Sequence, residues 1–295
     1  MKVVFLGNQT VGVRTLQAIR KRAEIVGVVA HPPDPEDGVC YESVYDFAAT
    51  SGLNLIRGNG RSPEVYRFVM DAKPDLLWIT DFRYLISREM ITLAGLGAVN
   101  LHPSLLPAYR GRAPLNWAIL NGERLLGLTA HFVDEGMDTG DVIEQVSYEI
   151  CDEQDVADCL NILYPLYAGV TEKVLEYFES GRVPRFPQEH SRASSFPRRR
   201  PEDGLIDWRQ SARSVFNLVR AVAAPYPGAF TTSHGEKVNV WKARIASDTE
   251  STTAPGRVIA NHELGPLVQC GQGTLLLTRV AAGSSVLRAG CQLGV

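Results

Sequence analysis

The sequence has no apolar run long enough to cross a membrane and no closely spaced cysteine pair. A membrane-spanning helix needs roughly 18 to 20 consecutive apolar residues, and no stretch of this chain reaches that length. The five cysteines are widely spread without a CxxC pair, as is typical of reduced thiols in a cytosolic protein. The opening residues MKVVFLG lack the cleavage site of a signal peptide. We therefore expect a cytoplasmic, soluble protein that does not enter membranes.

Two further shortages concern positive charge and metal ligands. The 295-residue chain has a net charge of −3, whereas a protein that grips a polynucleotide usually has a basic surplus. The six histidines show neither HxxxH nor HxH spacing, which zinc sites commonly require. These shortages disfavour a nucleic acid partner and a metal cofactor.

The chain also lacks a complete glycine fingerprint for phosphate binding. Residues 7–12 read GNQTVG, a Gly-x4-Gly turn directly after an apolar strand. This is neither the GxGxxG of a dinucleotide site nor a P-loop, in which Lys and Ser or Thr follow the second glycine. The favoured interpretation is a tight turn that packs a helix against a strand, with phosphate binding as the alternative.

Apolar runs and helical segments do alternate along the first part of the chain. VVFL at residues 3–6, EIVGVVA at 24–30 and DLLWIT at 75–80 are typical of buried strands. The alternation predicts an α/β fold with a mostly parallel, Rossmann-like sheet that has helices on both faces. Ligands bind such sheets at the carboxyl ends of the strands.

The rest of the chain has a different pattern. Residues 181–204 are polar and proline-rich, which is typical of a linker. One helical segment and several short strands with Gly and Pro turns follow, and they predict a small β-barrel domain. The predicted division is a catalytic domain at residues 1–185, a linker at 186–204 and a β-barrel-like domain at 205–295.

Asn100 and His102 form the first chemically suggestive group. They stand two apart at the end of the strand predicted at residues 98–101, so their side chains point the same way. The turn DEGMDTGD at residues 134–141 contains Asp138, whose carboxylate raises the pKa of His102 if it reaches the imidazole. The set suits nucleophilic attack on a carbonyl, with Asn100 and His102 stabilising the oxyanion and the His–Asp pair moving protons.

Simpler interpretations exist for each of these parts. A lone histidine at a strand end often caps a neighbouring backbone group, and an acidic turn is often only a solvated loop. A serine hydrolase does not fit, because Ser104 has no GxSxG elbow around it. The combination of an amide, an imidazole and a carboxylate favours catalysis over the simpler interpretations.

Three motifs together resemble a known enzyme family. Asn100-x-His102, HPSLLPAYRG at residues 102–111 and DEGMDTGD with Asp138 resemble the formyltransferases that use 10-formyltetrahydrofolate. The catalytic Asn, His and Asp of that family fall on Asn100, His102 and Asp138, with none missing.

The resemblance extends into the second domain. RRRPEDGLIDW at residues 198–208 and VRAVAAPYPGAF at 219–230 resemble segments of the tRNA and amino-sugar enzymes. The likeness is greatest to the amino-sugar N-formyltransferases, of the type that acts on UDP-4-amino-4-deoxy-L-arabinose.

The resemblance implies direct transfer of a formyl group from 10-formyltetrahydrofolate, as co-substrate, to an amine, without a metal. It also implies that the C-terminal domain is an open, OB-like β-barrel. Asn100, His102 and Asp138 are then catalytic. The residues that the resemblance implies as folate contacts are Tyr84, Leu85, Ile86, Arg112, Asp134, Glu135, Gly136 and Met137.

The acceptor amine is less constrained by the sequence. Residues 31–47 contain five acidic residues and no lysine or arginine, where the methionyl-tRNA enzymes carry a basic loop that enters the acceptor stem. Such an acidic stretch repels phosphates. Four arginines lie in residues 192–200 and are either solvated linker charges or contacts for nucleotide-sugar phosphates. The favoured acceptor is a nucleotide-linked amino sugar. The alternative is an amine or hydroxylamine side chain of an amino acid, such as hydroxyornithine in siderophore assembly, and methionyl-tRNA is a less favoured one.

Other functions stay open beside these. A folate-sensing paralogue without turnover and a formyl hydrolase are the rivals, and the oligomeric state, a homodimer included, is not predicted. Tyr226 and Trp208 are either core residues, which is the favoured interpretation, or a stacking surface for a base or sugar.

Overall fold

The computed structural model describes residues 1–31, 41–249, 253–281 and 287–294. Asp34, Glu36, Asp37 and Cys40 of the acidic stretch lie outside the described residues. The elements of the first unit are β1 (Lys2–Gly7), α1 (Gln9–Ile19), β2 (Glu24–Ala30), α2 (Val44–Thr50), β3 (Leu55–Arg57), α3 (Pro63–Ala72), β4 (Leu76–Thr80), α4 (Arg88–Ile91), β5 (Ala98–His102), β6 (Arg110–Gly111), α5 (Pro114–Leu120), β7 (Leu125–Phe132), β8 (Val142–Glu149) and α6 (Val156–Glu179). The later elements are β9 (Ser195–Phe196), α7 (Ala212–Ala221), β10 (Ala229–Ser233), β11 (Glu236–Ser247), β12 (Val258–His262), β13 (Gly265–Gln269) and β14 (Thr274–Val280).

Seven strands form the sheet of the first unit, in the order β3-β2-β1-β4-β5-β7-β8. The pairs from β3 to β5 are parallel, whereas β5–β7 and β7–β8 are antiparallel. Val3, Val4, Phe5 and Leu6 of β1 each have 0% exposure. Both faces of β1 are therefore buried, which explains why its sequence is continuously apolar. The predicted mostly parallel α/β sheet is confirmed.

Local sequence signals set the ends of the helices. Ser62 caps α3, because its hydroxyl accepts a hydrogen bond of 3.3 Å from the Val65 amide, and Pro63 occupies the first turn. Asp155 caps α6 in the same way and accepts from the amide of Ala157 at 2.9 Å. The first residue of each helix therefore follows directly after a side chain that caps it.

The elements from α7 to β14 form the second unit, a small antiparallel sheet with one helix. Its five strands have the order β10-β11-β14-β13-β12, with β10 and β12 at the two edges. Helix α7 packs on β11 and on α5 of the first unit, where Asn116 Nδ2 donates to the Ala221 carbonyl at 2.8 Å. Trp208 is 4% exposed and its Nε1 donates to Thr231 Oγ1, so it is a core residue. The predicted small, open β domain is confirmed.

The stretch predicted as a linker packs against the first unit. Strand β9 pairs in parallel with β6, and the Phe196 ring lies between Tyr109 and Trp117, 5.0 Å from each ring centroid. Phe186 and Val142 exchange two backbone hydrogen bonds. A proline-rich composition predicts the lack of long elements, but it does not predict whether the extended chain docks. The domain boundaries at residues 185 and 204 stay a prediction.

Three further features concern the whole described chain. None of the helices in the described segments is both long enough and apolar enough to span a bilayer. The four described cysteines are all free. Within the same segments, no group of three or more His, Cys, Asp or Glu side chains is arranged to hold a metal ion.

Candidate active site

The antiparallel pairing of β5 with β7 creates the first part of the site. It places Asn100 opposite His131, and directly opposed residues point to the same face of a sheet. Asn100 Nδ2 lies 3.1 Å from His131 Nε2. Sequence reasoning missed His131 as a site residue. Its one signal was an imidazole in a mostly apolar strand, and only the register with β5 gives that signal a meaning.

The turn between β7 and β8 brings Asp138 to the same group. Asp138 Oδ1 accepts a hydrogen bond of 3.3 Å from Asn100 Nδ2, and Oδ2 lies 3.6 Å from His102 Nδ1. Oδ1 is also 3.5 Å from His131 Nε2. The structure thus brings together Asn100, His102 and Asp138, and it adds His131 to them.

Asp138 has an uncommon backbone conformation, and hydrogen bonds and close packing keep its turn in place. Asp138 has a φ of +55°, in the left-handed region that residues other than glycine rarely adopt. The amide of Gly111 donates to Asp138 Oδ2 at 2.9 Å. A Cβ on Gly140 would lie 1.9 Å from the Phe132 carbonyl oxygen, so the chain can close this turn only with glycine there. Such unfavourable backbone geometry is typical of functional sites whose surroundings hold it in place.

One hydrogen bond fixes the tautomer of His102. His102 Nε2 lies 2.8 Å from the carbonyl oxygen of Tyr109. Because a carbonyl only accepts, Nε2 carries the proton, and Nδ1 is unprotonated in the neutral ring. The Tyr109 amide donates in turn to Ser194 Oγ at 2.9 Å. Neutral His102 therefore presents its basic nitrogen to Asp138.

Burial and the carboxylate have opposite effects on the pKa of His102. The residue is 5% exposed, and desolvation lowers its pKa, while Asp138 and the Tyr109 carbonyl act to raise it. The net pKa of His102 is below its ordinary value. We expected a raised pKa from the sequence. The effect of the carboxylate has the expected sign, but burial, which the sequence did not reveal, outweighs it.

The carboxyl group of Asp138 is held in its ionised form. Burial acts to raise its pKa, but His102, His131 and the Gly111 amide together outweigh burial and leave the pKa of Asp138 well below its usual range. Near neutral pH the pair thus consists of a neutral imidazole beside a carboxylate.

A cavity of about 840 Å³ opens beside these side chains. This volume lies within the range of roughly 300 to 1,000 Å³ for small-molecule sites. Asn100, His131 and Asp138 line one part of the cavity, whereas His102 does not line it. The expected folate contacts in its wall are Tyr84, Leu85, Ile86, Asp134, Glu135, Gly136 and Met137.

A second cavity, of about 250 Å³, lies between the two units. Residues at the carboxyl ends of β2 and β4, among them Asp81, line one side, and Tyr226 of the second unit lines the other. Core packing was the favoured interpretation of Tyr226, which does pack against the core and also lines this wall. Arg112, expected as a folate contact, lines this cavity and not the larger one. The arginines in the wall are Arg83, Arg112, Arg198, Arg199 and Arg200.

Both halves of the chain match known protein families. Residues 1–163 match the formyl transferase family, and residues 199–289 match the formyl transferase C-terminal domain. The methionyl-tRNA formyltransferase of Acetivibrio thermocellus is 33% identical over 290 residues, which are 97% of this chain and 93% of that protein.

Two solved structures share the fold over nearly their whole length. One is WlaRD, a sugar 3N-formyl transferase crystallised in the presence of dTDP and 5-N-formyl-THF, with a TM-score of 0.70 and 18% identity over 94% of this chain and 97% of that one. The other is the N-formyltransferase from Helicobacter canadensis in complex with folinic acid and dTDP-3-aminofucose. Its TM-score is 0.72, with 18% identity over 94% of this chain and 99% of that one. The family match and the 33% identical relative show that this chain belongs to the formyl transferase family, as its motifs indicated.

Proposed function

We propose that this formyltransferase transfers the formyl group of 10-formyltetrahydrofolate to a small amine, with Asn100, His102 and Asp138 as its catalytic residues. The observation that carries the proposal is the meeting of these three side chains beside the larger cavity. Asp138 is ionised and lies in the cavity wall, so its negative charge is available to stabilise a positive charge that forms during proton transfer.

The larger cavity suits the folate donor. Leu85 and Met137 are 51% and 47% exposed, so two apolar side chains are available to cover a flat heterocycle, with Asn100 and Asp138 at the polar end. Ligand sites commonly combine apolar walls with a few placed polar groups. The neighbours crystallised with 5-N-formyl-THF and with folinic acid support a folate in this fold.

Asn100 is the proposed donor to the developing oxyanion. As the unprotonated amine bonds to the formyl carbon, negative charge builds on the formyl oxygen, and an aligned N–H stabilises it. Asn100 Nδ2 contacts His131 Nε2 and Asp138 Oδ1 in the free protein. One N–H therefore has to turn to the oxyanion when the donor binds.

The His102–Asp138 pair is the proposed proton acceptor. The attacking nitrogen loses a proton to the pair, in which Nδ1 of the neutral imidazole is free and 3.6 Å from the carboxylate. The carboxylate stabilises the imidazolium that forms. The bond between the formyl carbon and N10 then breaks and N10 takes up a proton, so the products are a formamide and tetrahydrofolate. The two groups are coupled, and their protonation belongs to the pair.

A nucleotide-linked amino sugar is the proposed acceptor. The motifs resemble the amino-sugar enzymes, and the arginines around the second cavity suit phosphate groups. The fold shared with the enzyme bound to dTDP-3-aminofucose is further support.

Methionyl-tRNA is the second candidate acceptor, because the 33% identical relative is a methionyl-tRNA formyltransferase. The absence of lysine and arginine from residues 31–47 disfavours it, since a tRNA-binding loop needs positive charge near phosphates.

A panel of amines tests the function and the acceptor together. The purified protein is given 10-formyltetrahydrofolate with UDP- and dTDP-linked 3-amino and 4-amino sugars, hydroxyornithine or methionyl-tRNA, and formylated product and tetrahydrofolate are measured by mass spectrometry. We expect product with an amino-sugar nucleotide alone. Product only with one of the other amines would replace the acceptor, and tetrahydrofolate without product would indicate a hydrolase. No release and no product with any amine would contradict formyl transfer.

A further inference from the structure

The second cavity has a wall that is rich in positive charge. Five arginines line it, and they come from three separate parts of the chain: the segment after β4, the segment after β6 and the stretch before α7. Folding thus brings together five positive charges, and Asp81 is the one acidic residue among the described residues of this wall. Like charges repel one another unless anions balance them. The contacts of Arg112 and Arg199 decide whether the described part of the protein neutralises these two charges.

Arg112 and Arg199 are held by neutral groups. Arg112 donates to the carbonyl of Arg83, and Arg199 donates to the carbonyl of Asp203 at 2.8 Å. Neither guanidinium forms an ion pair with a carboxylate in the described part of the chain. Burial lowers the pKa of Arg199 and outweighs the charge of Asp203, which acts to raise it, so the guanidinium has lost hydration without full compensation.

The position of Arg199 is fixed before any ligand binds. Its guanidinium carbon lies 4.9 Å from the Trp117 ring centroid, in a cation–π contact. Trp117 is itself fixed, because its Nε1 donates to the Pro197 carbonyl at 2.9 Å. A guanidinium that is held in place loses little conformational entropy when it binds an oxyanion.

We propose that the second cavity binds the diphosphate of the acceptor and that Arg112 and Arg199 are its ligands. The inference rests on the proposed function, since it assigns the anionic part of the acceptor to this cavity and the folate to the larger one. Arg112 follows Gly111, whose amide binds Asp138 at 2.9 Å. One short segment therefore connects the phosphate site to the catalytic carboxylate.

Calorimetric titration of the free enzyme with UDP, dTDP and inorganic pyrophosphate tests the site without catalysis. We expect a nucleoside diphosphate to bind, and R112Q and R199Q each to weaken it by about tenfold or more, because each removes one charged ligand. The Michaelis constant for 10-formyltetrahydrofolate should stay within about twofold, because folate occupies the other cavity. R192Q is the matched control, since Arg192 pairs with Glu189 at 3.2 Å and does not line the cavity.

Three outcomes would overturn the assignment. The first is a wild-type enzyme that binds none of the three probes. The second is unchanged nucleotide binding in both R112Q and R199Q when thermal unfolding shows them to be folded. The third is a large rise in the folate Michaelis constant of R112Q with nucleotide binding unaltered, which would return Arg112 to the folate site. The proposed formyl transfer fails separately, because it requires only that some amine in the panel is formylated.

A second inference comes from an independent feature, the side chain of Gln188. It is 8% exposed, and each of its polar atoms is satisfied. Its Nε2 donates to the carbonyls of Asp138 and Gly140 at 2.9 and 2.7 Å. Its Oε1 accepts from Nε and a terminal nitrogen of Arg110 at 3.2 and 2.6 Å.

We infer that Gln188 is a positioning residue for Asp138. Its side chain connects the backbone of Asp138 to the side chain of Arg110 by hydrogen bonds. Arg110 precedes Gly111, and the Gly111 amide donates to the Asp138 carboxylate. A buried amide that satisfies both carbonyls of a strained turn fixes that turn, and a catalytic group misplaced by about 1 Å can cost roughly a hundredfold in rate.

Gln188→Glu removes the two hydrogen bonds donated to the carbonyls of Asp138 and Gly140 and keeps an oxygen that accepts from Arg110. We expect kcat to fall by about tenfold or more, the folate Michaelis constant to stay within about threefold, and the pH profile of kcat to shift, because Asp138 moves relative to His102. Gln272→Glu in the second unit is the control. Loss of stability with an unchanged kcat and pH profile would show that Gln188 is only structural.

Discussion

The basic nitrogen of His102, Nδ1, is buried and therefore poorly hydrated. Its Nε2–H is committed to the Tyr109 carbonyl, its Nδ1 faces the Asp138 carboxylate, and desolvation lowers its pKa. A neutral histidine at neutral pH is ready to take a proton, and the carboxylate limits the cost of the charge that results. The balance of these two effects is what the proposed role of His102 as a base requires.

The lowered pKa of His102 has a consequence for stability. Between the lowered pKa of folded His102 and the unfolded histidine pKa of about 6.5, the unfolded state binds more protons than the folded state. His102 therefore leaves stability unchanged above that range and lowers it as the pH falls through the range. We expect the free energy of unfolding of the wild type to drop from pH 7.5 to 5.5. His102 should contribute at most about 1.4 kcal/mol per pH unit.

Denaturant titration at the two pH values measures this contribution by comparison with His102→Asn, which should show a smaller drop. His262→Asn, an exposed change on β12, is the control and should leave the drop as it is. Equal drops in His102→Asn and the wild type would mean that His102 is not held neutral by burial.

At the scale of elements, two short segments position the proposed catalytic residues Asn100, His102 and Asp138. The turn between β7 and β8 carries Asp138, and the β6 segment supplies the Gly111 amide and the Tyr109 carbonyl that hold Asp138 and His102. Strand β6 is only two residues long, and β9 pairs with it from the stretch predicted as a linker. The geometry of His102 and Asp138 therefore depends on a segment outside the large sheet.

Phe196→Ala tests that dependence, because it removes the ring that lies between Tyr109 and Trp117. We expect a loss of about 2 kcal/mol of stability, since aromatic packing is lost at a half-buried site. We also expect roughly a tenfold fall in kcat, because the segment that holds His102 and Asp138 loosens.

Phe186→Ala is the matched control for that change. Phe186 belongs to the same stretch, but its side chain is 60% exposed and only its backbone pairs with Val142. The free energy of unfolding and the kcat of Phe186→Ala should stay near those of the wild type. If Phe196→Ala unfolds more easily but keeps full turnover, the β6–β9 pair supports the fold without shaping the site.

At the scale of the whole molecule, the sequence predicts elements better than it predicts contacts between them. The buried strands and the cap at Ser62 follow from local patterns, and the motif around Asn100 and His102 stands at a strand end for the same reason. The role of His131 depends on the register between β5 and β7, which no local pattern encodes. The docking of Phe196 escaped prediction too, because a proline-rich composition is compatible with a free or a packed chain.

The two cavities show the same limit. Seven of the residues that the family resemblance implied as folate contacts line the larger cavity, but Arg112 lines the other one. The backbone on either side of Arg112 has positive φ, +96° at Gly111 and +51° at Ala113. These angles set the direction in which the chain leaves β6, and a motif alone does not specify them.

The most direct test of the catalytic account is the single-turnover rate of formyl transfer from 10-formyltetrahydrofolate to the acceptor found in the amine panel. We expect His102→Asn to lower this rate by about a hundredfold or more, with folate affinity within about twofold of the wild type, because the proton acceptor is lost while the larger cavity is intact. A His102→Asn enzyme that transfers the formyl group at nearly the wild-type rate would contradict the assignment of the catalytic group.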